Sequence, residues 1–257
     1  MPKFVLYFLA LSVLCAGGAS GQSQGAFGQV AFGGSWRTTF TLLNLSSTDV
    51  AIVTLSFFGD NGSPLDVPVE GFGVTSVYAL TLPAGGAQNV SLSNADSATT
   101  QGWASMSSTG RVRGQGAFAF LVPNKAGVIS NAVVPLALAG LAGCVVPFPQ
   151  IDPVILMPFD NTNGEFVTSV AFANMNAKIP AQSFVLEFND QSNNQLATET
   201  LNMATMTHLA FVTPARYPAL KGKKGIIRIH ASASELAALG LLSNAAGVIT
   251  TIFPVSE

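Results

Sequence analysis

The sequence predicts an all-β protein made of two tandem β-sandwich domains behind an N-terminal signal peptide. Three observations lead to this prediction. Apolar and polar residues alternate along short segments, which is the pattern of half-buried strands. Turn residues rich in Gly, Pro, Asn and Asp separate these segments. The same motifs then return in the same order about 120 residues later, which is the size of one immunoglobulin-like domain.

The composition supports a folded protein with little surface charge. Of the 257 residues, 49% are hydrophobic and only 9% are charged, against a usual charged share of about 25%. Such a chain can bury a large core, which excludes intrinsic disorder. The formal net charge is -2. A nucleic-acid-binding protein needs a basic surface, so this class is disfavoured.

The first 21 residues have the pattern of a signal peptide. Lys3 precedes an apolar run that ends at Cys15, and the small residues Ala19 and Gly21 follow it. This pattern predicts cleavage before Gln22 and export, so that the protein is secreted, periplasmic or held at the cell surface. A retained N-terminal membrane anchor is the alternative. In the mature chain we expect no transmembrane helix, and whether the protein is released or tethered stays open.

The cysteines predict a protein without disulfides. Cys15 leaves with the signal peptide, so Cys144 has no partner within one mature chain. A catalytic thiol needs a nearby base, and both histidines are distant from Cys144 in sequence. We therefore expect Cys144 to be a small buried apolar residue.

The internal repeat divides the mature chain at residues 24–146 and 147–257, with a Pro-rich join at residues 146–149. Residues 126–129 recur at 246–249, and each copy is followed by a proline. A glycine opens a strand late in each repeat. The longest match is an alternating strand, in which Trp36, Thr38, Phe40, Leu42 and Asn44 correspond to Phe166, Thr168, Val170, Phe172 and Asn174.

One segment has helix-like composition, since residues 231–242 are rich in Ala and Leu. Its counterpart in the first repeat is the alternating strand that follows Arg111. The repeat therefore predicts a strand there, against local propensity.

No motif for catalysis, a cofactor or a metal is present. The sequence lacks a nucleophile elbow, a zinc-protease motif, a P-loop and a dinucleotide fingerprint. Residues 160–165 resemble a calcium loop, but the glycine falls one position early and a plain loop explains them. We predict a protein that is not an enzyme, with a hydrolase that uses His208 or His230 as one alternative.

A candidate binding face follows from strand alternation. Trp103 should lie on the opposite side of its strand from Ala104 and Met106. If this strand forms a hairpin with the next one, its polar side faces that of its partner. Sugars are often held by an aromatic ring with polar groups beside it. The alternative is that Trp103 packs in the core or on the neighbouring repeat. Trp36 lies on a core-like face and is expected to be structural in either case. The predicted ligand-binding residues are Trp103, Arg111, Arg113 and Gln115 in the first repeat, with Arg228 and His230 in the second.

These motifs resemble secreted bacterial proteins made of tandem immunoglobulin-like sandwiches, a group of uncharacterised function. The resemblance rests on the strand from Trp36 to Asn44, the turns at residues 57–62 and 82–86, and residues 158–161. It implies an immunoglobulin-like fold and export, and it offers no catalytic residue. The second repeat departs from it, because residues 204–207 replace the Pro-Ala-Gly-Gly turn.

The expected function is that of an exported binding or adhesion-type module at the cell envelope or outside the cell. A glycan or a cell-surface protein is the expected partner, without nucleic acid and without a cofactor. A structural subunit of a surface layer or fibre is the alternative, and self-association distinguishes the two. The sequence predicts neither the oligomeric state nor the relative orientation of the two domains.

Overall fold

The fold is all-β and its sheets are antiparallel, as the sequence predicts. The computed structural model describes residues 23–93, 98–121, 129–138, 154–162, 165–175, 181–231 and 236–256. We call residues 23–138 the N-terminal half and residues 154–256 the C-terminal half. The predicted signal peptide, Cys144 and the predicted domain boundary lie outside the described residues.

The N-terminal half forms a single ten-stranded sheet that folds over its own core. The rings of Phe27 and Phe40 lie 4.6 Å apart, and those of Phe40 and Phe57 lie 6.1 Å apart. The strands are β1 (Ser23–Phe32), β2 (Trp36–Asn44), β3 (Ala51–Phe58), β4 (Val67–Val69), β5 (Gly73–Thr75), β6 (Val77–Leu82), β7 (Ala87–Leu92), β8 (Thr100–Ser108), β9 (Val112–Leu121) and β10 (Ile129–Leu138).

The C-terminal half forms two sheets around a second core that includes Phe172, Phe184 and Phe188. A helical turn, α1 (Thr213–Arg216), and a 3₁₀ turn (Pro218–Leu220) follow the fifth strand of this half. The strands are β11 (Val154–Asp160), β12 (Phe166–Asn174), β13 (Ala181–Asp190), β14 (Gln195–Ala204), β15 (His208–Val212), β16 (Lys224–Ala231), β17 (Leu236–Asn244), β18 (Ile249–Ile252) and β19 (Val255–Ser256).

The two halves share one strand order. The N-terminal sheet runs β5-β4-β7-β2-β9-β10-β1-β8-β3-β6, and the C-terminal sheets run β14-β13-β16-β11-β19 and β15-β12-β17-β18. Hence β1, β8, β3 and β6 are arranged like β11, β16, β13 and β14, while β7, β2, β9 and β10 are arranged like β15, β12, β17 and β18. The hairpin of β4 and β5 belongs to the N-terminal half alone among the described residues.

The expected hairpin between the strands of Trp103 and Arg113 is wrong. The strands β8 and β9 are separated in the sheet by β1 and β10, and in the C-terminal half β16 and β17 lie in different sheets. Instead β9 pairs with β2 along nine residues, and β8 pairs with β1 and β3. Alternation specifies the side on which a residue lies and leaves the neighbouring strand undetermined.

A buried threonine has the same role in each half. The hydroxyl of Thr38 donates to the carbonyl oxygen of Ala31 and accepts from its amide nitrogen, at 2.6 and 3.0 Å. The hydroxyl of Thr168 makes the same two bonds to Asp160, at 2.9 and 2.8 Å. Each threonine thus joins the second strand of its half to the first, with no exposed surface.

A buried asparagine closes the same strand in each half. The side-chain amide of Asn44 donates to the carbonyls of Leu82 and Pro83. That of Asn174 donates to the carbonyls of Met203 and Ala204, which occupy the corresponding place after β14. The residues that the repeat singles out are therefore those that satisfy buried backbone groups.

We expect Thr38→Val to lower the free energy of unfolding by about 2 kcal/mol, and Thr168→Val to do the same. Valine has nearly the shape of threonine, but it leaves a buried amide and carbonyl without their partner. Thr41→Val is the control, because its hydroxyl bond to Asn89 is exposed, and we expect a change within about 0.5 kcal/mol. Urea denaturation checks these values, and equal effects at all three positions would contradict them.

A proline marks the place where the last strand changes partner. Pro135 ends the pairing of β10 with β9, and Leu136 begins the pairing with β1. In the C-terminal half β18 pairs with β17 and β19 pairs with β11, with Pro254 between them. Proline has no backbone N–H to donate, so it suits a break in the ladder.

The prediction of a strand in the Ala- and Leu-rich segment is confirmed for its described part, since Leu236–Asn244 is β17. Its partner β12 pairs with it along nine residues. This pairing and the burial of Ala237 and Leu239 outweigh the helical propensity of the segment.

The two halves pack directly on one another. Ala171, Leu239 and Ile249 of the C-terminal half belong to the core cluster of the N-terminal half. At the strand edges, the hydroxyl of Ser130 accepts from the amide of Ile249, and that of Thr251 donates to the carbonyl of Val133. The junction therefore combines buried apolar contact with hydroxyl bridges between β10 and β18.

Candidate functional site

A cleft of about 360 Å³ opens at the junction of the two halves. Its volume lies within the range of small-molecule sites, which often form between structural units. Both halves contribute apolar side chains to its walls, among them Ala31, Trp36, Phe118, Val170, Phe211 and Leu241.

The polar groups of the cleft are amides and hydroxyls. Gln29 and Gln101 lie on the N-terminal side, and Ser169 and Ser243 lie on the C-terminal side. None of the described residues that line the cleft is charged. A site of this kind favours a neutral and largely apolar ligand, because an unpaired ion would lose its hydration there.

Strand geometry positions the aromatic walls. Trp36 begins β2 and packs against Phe118 and Phe120 on β9, with ring centroids 5.9 and 4.6 Å away. On the opposite wall, the guanidinium of Arg216 lies 4.9 Å from the ring centre of Phe211. This cation–π contact keeps the Phe211 ring in place.

An ion pair holds Arg216 in that position. Its guanidinium donates to both oxygens of Glu199 at 2.9 and 2.7 Å, and the Tyr217 hydroxyl donates to the same carboxylate. The hydrogen bond from Arg216 lowers the pKa of Glu199 below its usual range. Burial raises the pKa of Tyr217, so its hydroxyl stays protonated.

Beside the cleft, His208 joins the two halves. Its Nδ1 lies 2.7 Å from Asp60 Oδ1, and its Nε2 lies 2.8 Å from Gln29 Oε1. Its backbone amide also donates to the Asp60 carbonyl at 3.0 Å. The His208 side chain has no exposed surface. Burial lowers the pKa of His208, although the hydrogen bond and charge of Asp60 act in the opposite direction.

The expectation that Trp103 offers an open ring face is wrong. Trp103 is fully buried and packs with Ala26, Ala173 and Ala237 at the junction of the halves. Its ring stacks on Phe58 at 4.8 Å, and its indole N–H donates to the carbonyl of Met206 at 3.0 Å. Alternation places Trp103 on the correct side of β8, but the C-terminal half covers that side.

The other predicted residues of the first repeat remain at the surface. Arg111, Arg113 and Gln115 are exposed, the latter two on β9. Because β10 and β1 lie between β9 and β8, these residues are not neighbours of Trp103. Arg113 donates to the carbonyl of its own neighbour Val112 at 3.3 Å.

The predicted residues of the second repeat lie on the outer face of β16. Arg228 donates to the side chain of Asn193 at 2.9 Å, and His230 Nε2 lies 3.3 Å from Glu187. Both are half-buried, and they alternate along the strand with the buried Ile227, Ile229 and Ala231. They form a second surface, apart from the one that carries Arg113.

Neither histidine is arranged as the base of a hydrolytic triad. Both ring nitrogens of His208 already contact a carboxylate or an amide, and no hydroxyl of a described residue is among their partners. His230 contacts Glu187 on an open sheet face. A triad needs a nucleophile within hydrogen-bond reach of its base.

In the calcium-like segment, the structure describes residues 160–162 and Glu165, and Asn161 there bonds to the protein interior. The Asn161 side chain turns inward, where it donates to Thr213 and accepts from the amide of Thr168. In the described part of the chain, no group of three or more His, Cys, Asp or Glu side chains could hold a metal ion. Among the same residues, no helix is long and apolar enough to cross a membrane.

Comparison with known proteins identifies no relative. No family model, curated protein or solved structure matches the chain.

Sequence reasoning missed the residues of the cleft. Trp36 and Phe118 appear in the sequence as inward-facing strand residues. The opening of the cleft depends on how the two halves pack against each other, which the sequence does not show. One signal was available, because Gln29 is a polar residue in an otherwise apolar strand. A polar residue in such a position often has a specific partner.

Proposed function

We propose that the protein is an exported, non-enzymatic binding protein, composed of two tandem sandwiches of the immunoglobulin-like class in which the last segment of each half changes its pairing partner. Its ligand site is the cleft between the two halves. The observation that carries this proposal is a cleft of about 360 Å³ with aromatic walls from both halves. The signal-peptide pattern of residues 1–21 supports export.

The lining supports a neutral apolar molecule with one hydrogen-bonding group. The rings of Trp36 and Phe211 provide apolar contact, and Gln29 and Gln101 provide polar atoms at one side. The cleft has aromatic rings, but it lacks the dense array of polar side chains that an extended glycan would need. A small apolar ligand therefore fits better than the glycan expected from sequence.

We expect the neutral dye N-phenyl-1-naphthylamine to bind the purified protein saturably, with a rise in dye fluorescence. Ala210→Phe should weaken this binding about tenfold, because Ala210 lines the cleft on β15 and a phenyl group would fill it. Fluorescence titration measures both values, and circular dichroism checks that the variant is folded.

Ala119→Phe is the matched control for this experiment. Ala119 lies half-buried on β9 and does not line the cleft, so the same substitution should leave dye binding unchanged. Absence of saturable dye binding to the parent protein would contradict the proposal. Binding to a glycan array that is undiminished in Ala210→Phe would place the ligand site elsewhere.

A structural subunit is the second candidate, and the extra hairpin of β4 and β5 favours it. Phe72 and Val74 are 64% and 70% exposed, and β5 is an edge strand. Exposed apolar edges pair readily with further strands. Light scattering of the parent and of Phe72→Ser tests this: a subunit forms large species that the substitution disperses, whereas a binding protein stays small.

A further inference from the structure

Four side chains beside the cleft form a closed ring of hydrogen-bonding contacts. Asp60 and Gln101 come from the N-terminal half, as does Gln29, and His208 comes from the C-terminal half. The four links are His208 Nδ1 to Asp60 Oδ1 at 2.7 Å, His208 Nε2 to Gln29 Oε1 at 2.8 Å, Gln29 Nε2 to Gln101 Oε1 at 3.5 Å and Gln101 Nε2 to Asp60 Oδ2 at 3.4 Å.

The number of hydrogen-bond donors decides whether all four contacts of the ring can be hydrogen bonds at once. Each of the four links needs one donor. Each glutamine amide can donate to one neighbour and accept from the other, whichever way it is turned. A neutral imidazole also donates once, and a carboxylate donates to nothing. The ring therefore has three donors when His208 is neutral, and it has four when His208 is an imidazolium.

The missing donor has an identifiable place. The two links of His208 are short, whereas both links of Gln101 are long. With a neutral imidazole that donates from Nδ1 to Asp60, Gln29 turns so that its amide nitrogen donates to Nε2, and the open link then falls at one of the two long contacts of Gln101. Gln101 also lines the cleft, so an open link leaves one of its amide atoms available to a ligand there.

We propose that this ring is a proton-operated control of the cleft: without the added proton it is open at Gln101, and with the proton it is closed. This inference rests on the proposed function of the cleft as a ligand site. At neutral pH the open link offers Gln101 to the ligand. At acidic pH both amide atoms of Gln101 bond to Gln29 and Asp60 within the ring, so the ligand loses its hydrogen bond to Gln101.

Among the described residues, Asp60 is the titratable neighbour of His208. From β1 His208 meets Gln29 and the carbonyl of Gly28, from β8 the ring includes Gln101, and from β12 it pairs with Ala173. None of these groups is charged. The Gly28 carbonyl is a further acceptor, so it adds to the demand for donors.

The direction of the pH dependence follows from burial. Burial holds the pKa of His208 below its usual 6.5, so the folded protein takes up this proton less readily than the unfolded chain. The stability that neutral His208 contributes is therefore complete above pH 6.5 and declines as the pH falls toward the folded pKa. The ring closes in the same acidic range.

NMR of the two histidines tests the ring without any ligand. The spectrum of His230→Gln assigns the remaining signal to His208, and that of Gln101→Leu assigns the Gln101 side-chain amide. In the parent protein we expect His208 to titrate below pH 6.5 and the Gln101 amide shift to follow it with the same midpoint. A Gln101 amide chemical shift that does not change as His208 titrates would overturn the proposal.

Asp60→Asn gives the sharpest result, because asparagine supplies the fourth donor. The ring then closes with a neutral imidazole, so the pKa of His208 should fall further and the Gln101 shift should no longer titrate. Asp190→Asn is the control, since Asp190 is the corresponding turn residue of the C-terminal half and bonds to its own loop. Equal titrations in Asp60→Asn and the parent would overturn the ring.

The dye connects the ring to the cleft. We expect the affinity for N-phenyl-1-naphthylamine, whose amine stays neutral in this range, to fall about fivefold below the His208 midpoint. In Asp60→Asn it should stay at the lower value at every pH. Constant affinity in the parent would overturn control of the cleft. Failure of the dye to bind at all would reject the proposed function, while the NMR titration would still decide the ring.

Discussion

Gly102→Ala should destabilise the protein by about 3 kcal/mol, and Gly225→Ala should have an effect of the same size. A methyl group on Gly102 would lie 2.2 Å from the carbonyl oxygen of Phe58, and one on Gly225 would lie 1.9 Å from that of Asn189. Both obstacles are backbone atoms of a paired strand, which cannot turn aside as a flexible side chain can. Relief therefore requires the strands to separate.

Thermal and urea unfolding measure this effect. Gly59→Ala is the control, because its added methyl group would meet no atom closer than 3.6 Å and its backbone is not in the left-handed region. The control should remain within about 0.5 kcal/mol of the parent. If Gly102→Ala has the same free energy of unfolding as the parent protein, then β3 and β8 do not approach each other closely at this point.

Trp103→Ala should cost about 4 kcal/mol, which is the usual loss for a large buried aromatic residue. The substitution leaves a cavity where Ala26, Ala173 and Phe58 meet at the junction of the halves. It also leaves the carbonyl of Met206 without the indole donor. We therefore expect loss of stability at the junction and not the selective loss of binding that an exposed platform would show.

Trp103→Phe separates the two contributions. It keeps most of the apolar volume but removes the N–H group, so we expect a smaller loss of about 2 kcal/mol. Urea denaturation followed by circular dichroism measures both variants. The opposite outcome is a Trp103→Ala protein with the stability of the parent that no longer binds a glycan. That result would support the binding role expected from sequence.

The internal repeat carried the most reliable structural information in the sequence. Thr38 and Thr168 make the same pair of backbone hydrogen bonds, and Gly102 and Gly225 meet the same obstacle. These residue types recur because each satisfies a requirement of the backbone. A match of this kind can be recognised without knowing the requirement, and it correctly predicted a strand at β17.

The candidate site was predicted less well than the strands. Arg113 and Arg228 lie on outward faces, as alternation predicts, but on separate surfaces. The sequence suggests His208 as the base of a hydrolase, whereas its contacts make it part of the junction between the halves. Its partners Gln29 and Asp60 lie far from it along the chain. No local pattern could have brought them together.

The sequence by itself determined which segments are strands and which side of each strand is buried. These properties depend on a few consecutive residues, because alternation and turn formation are local. Only the tertiary structure decided which strands are neighbours, which half covers Trp103 and where the cleft opens. Those features depend on contacts between residues that are distant in sequence, and period-two alternation carries no information about the partner. The covered face of β8 and the ring at His208 both arise where one half packs on the other.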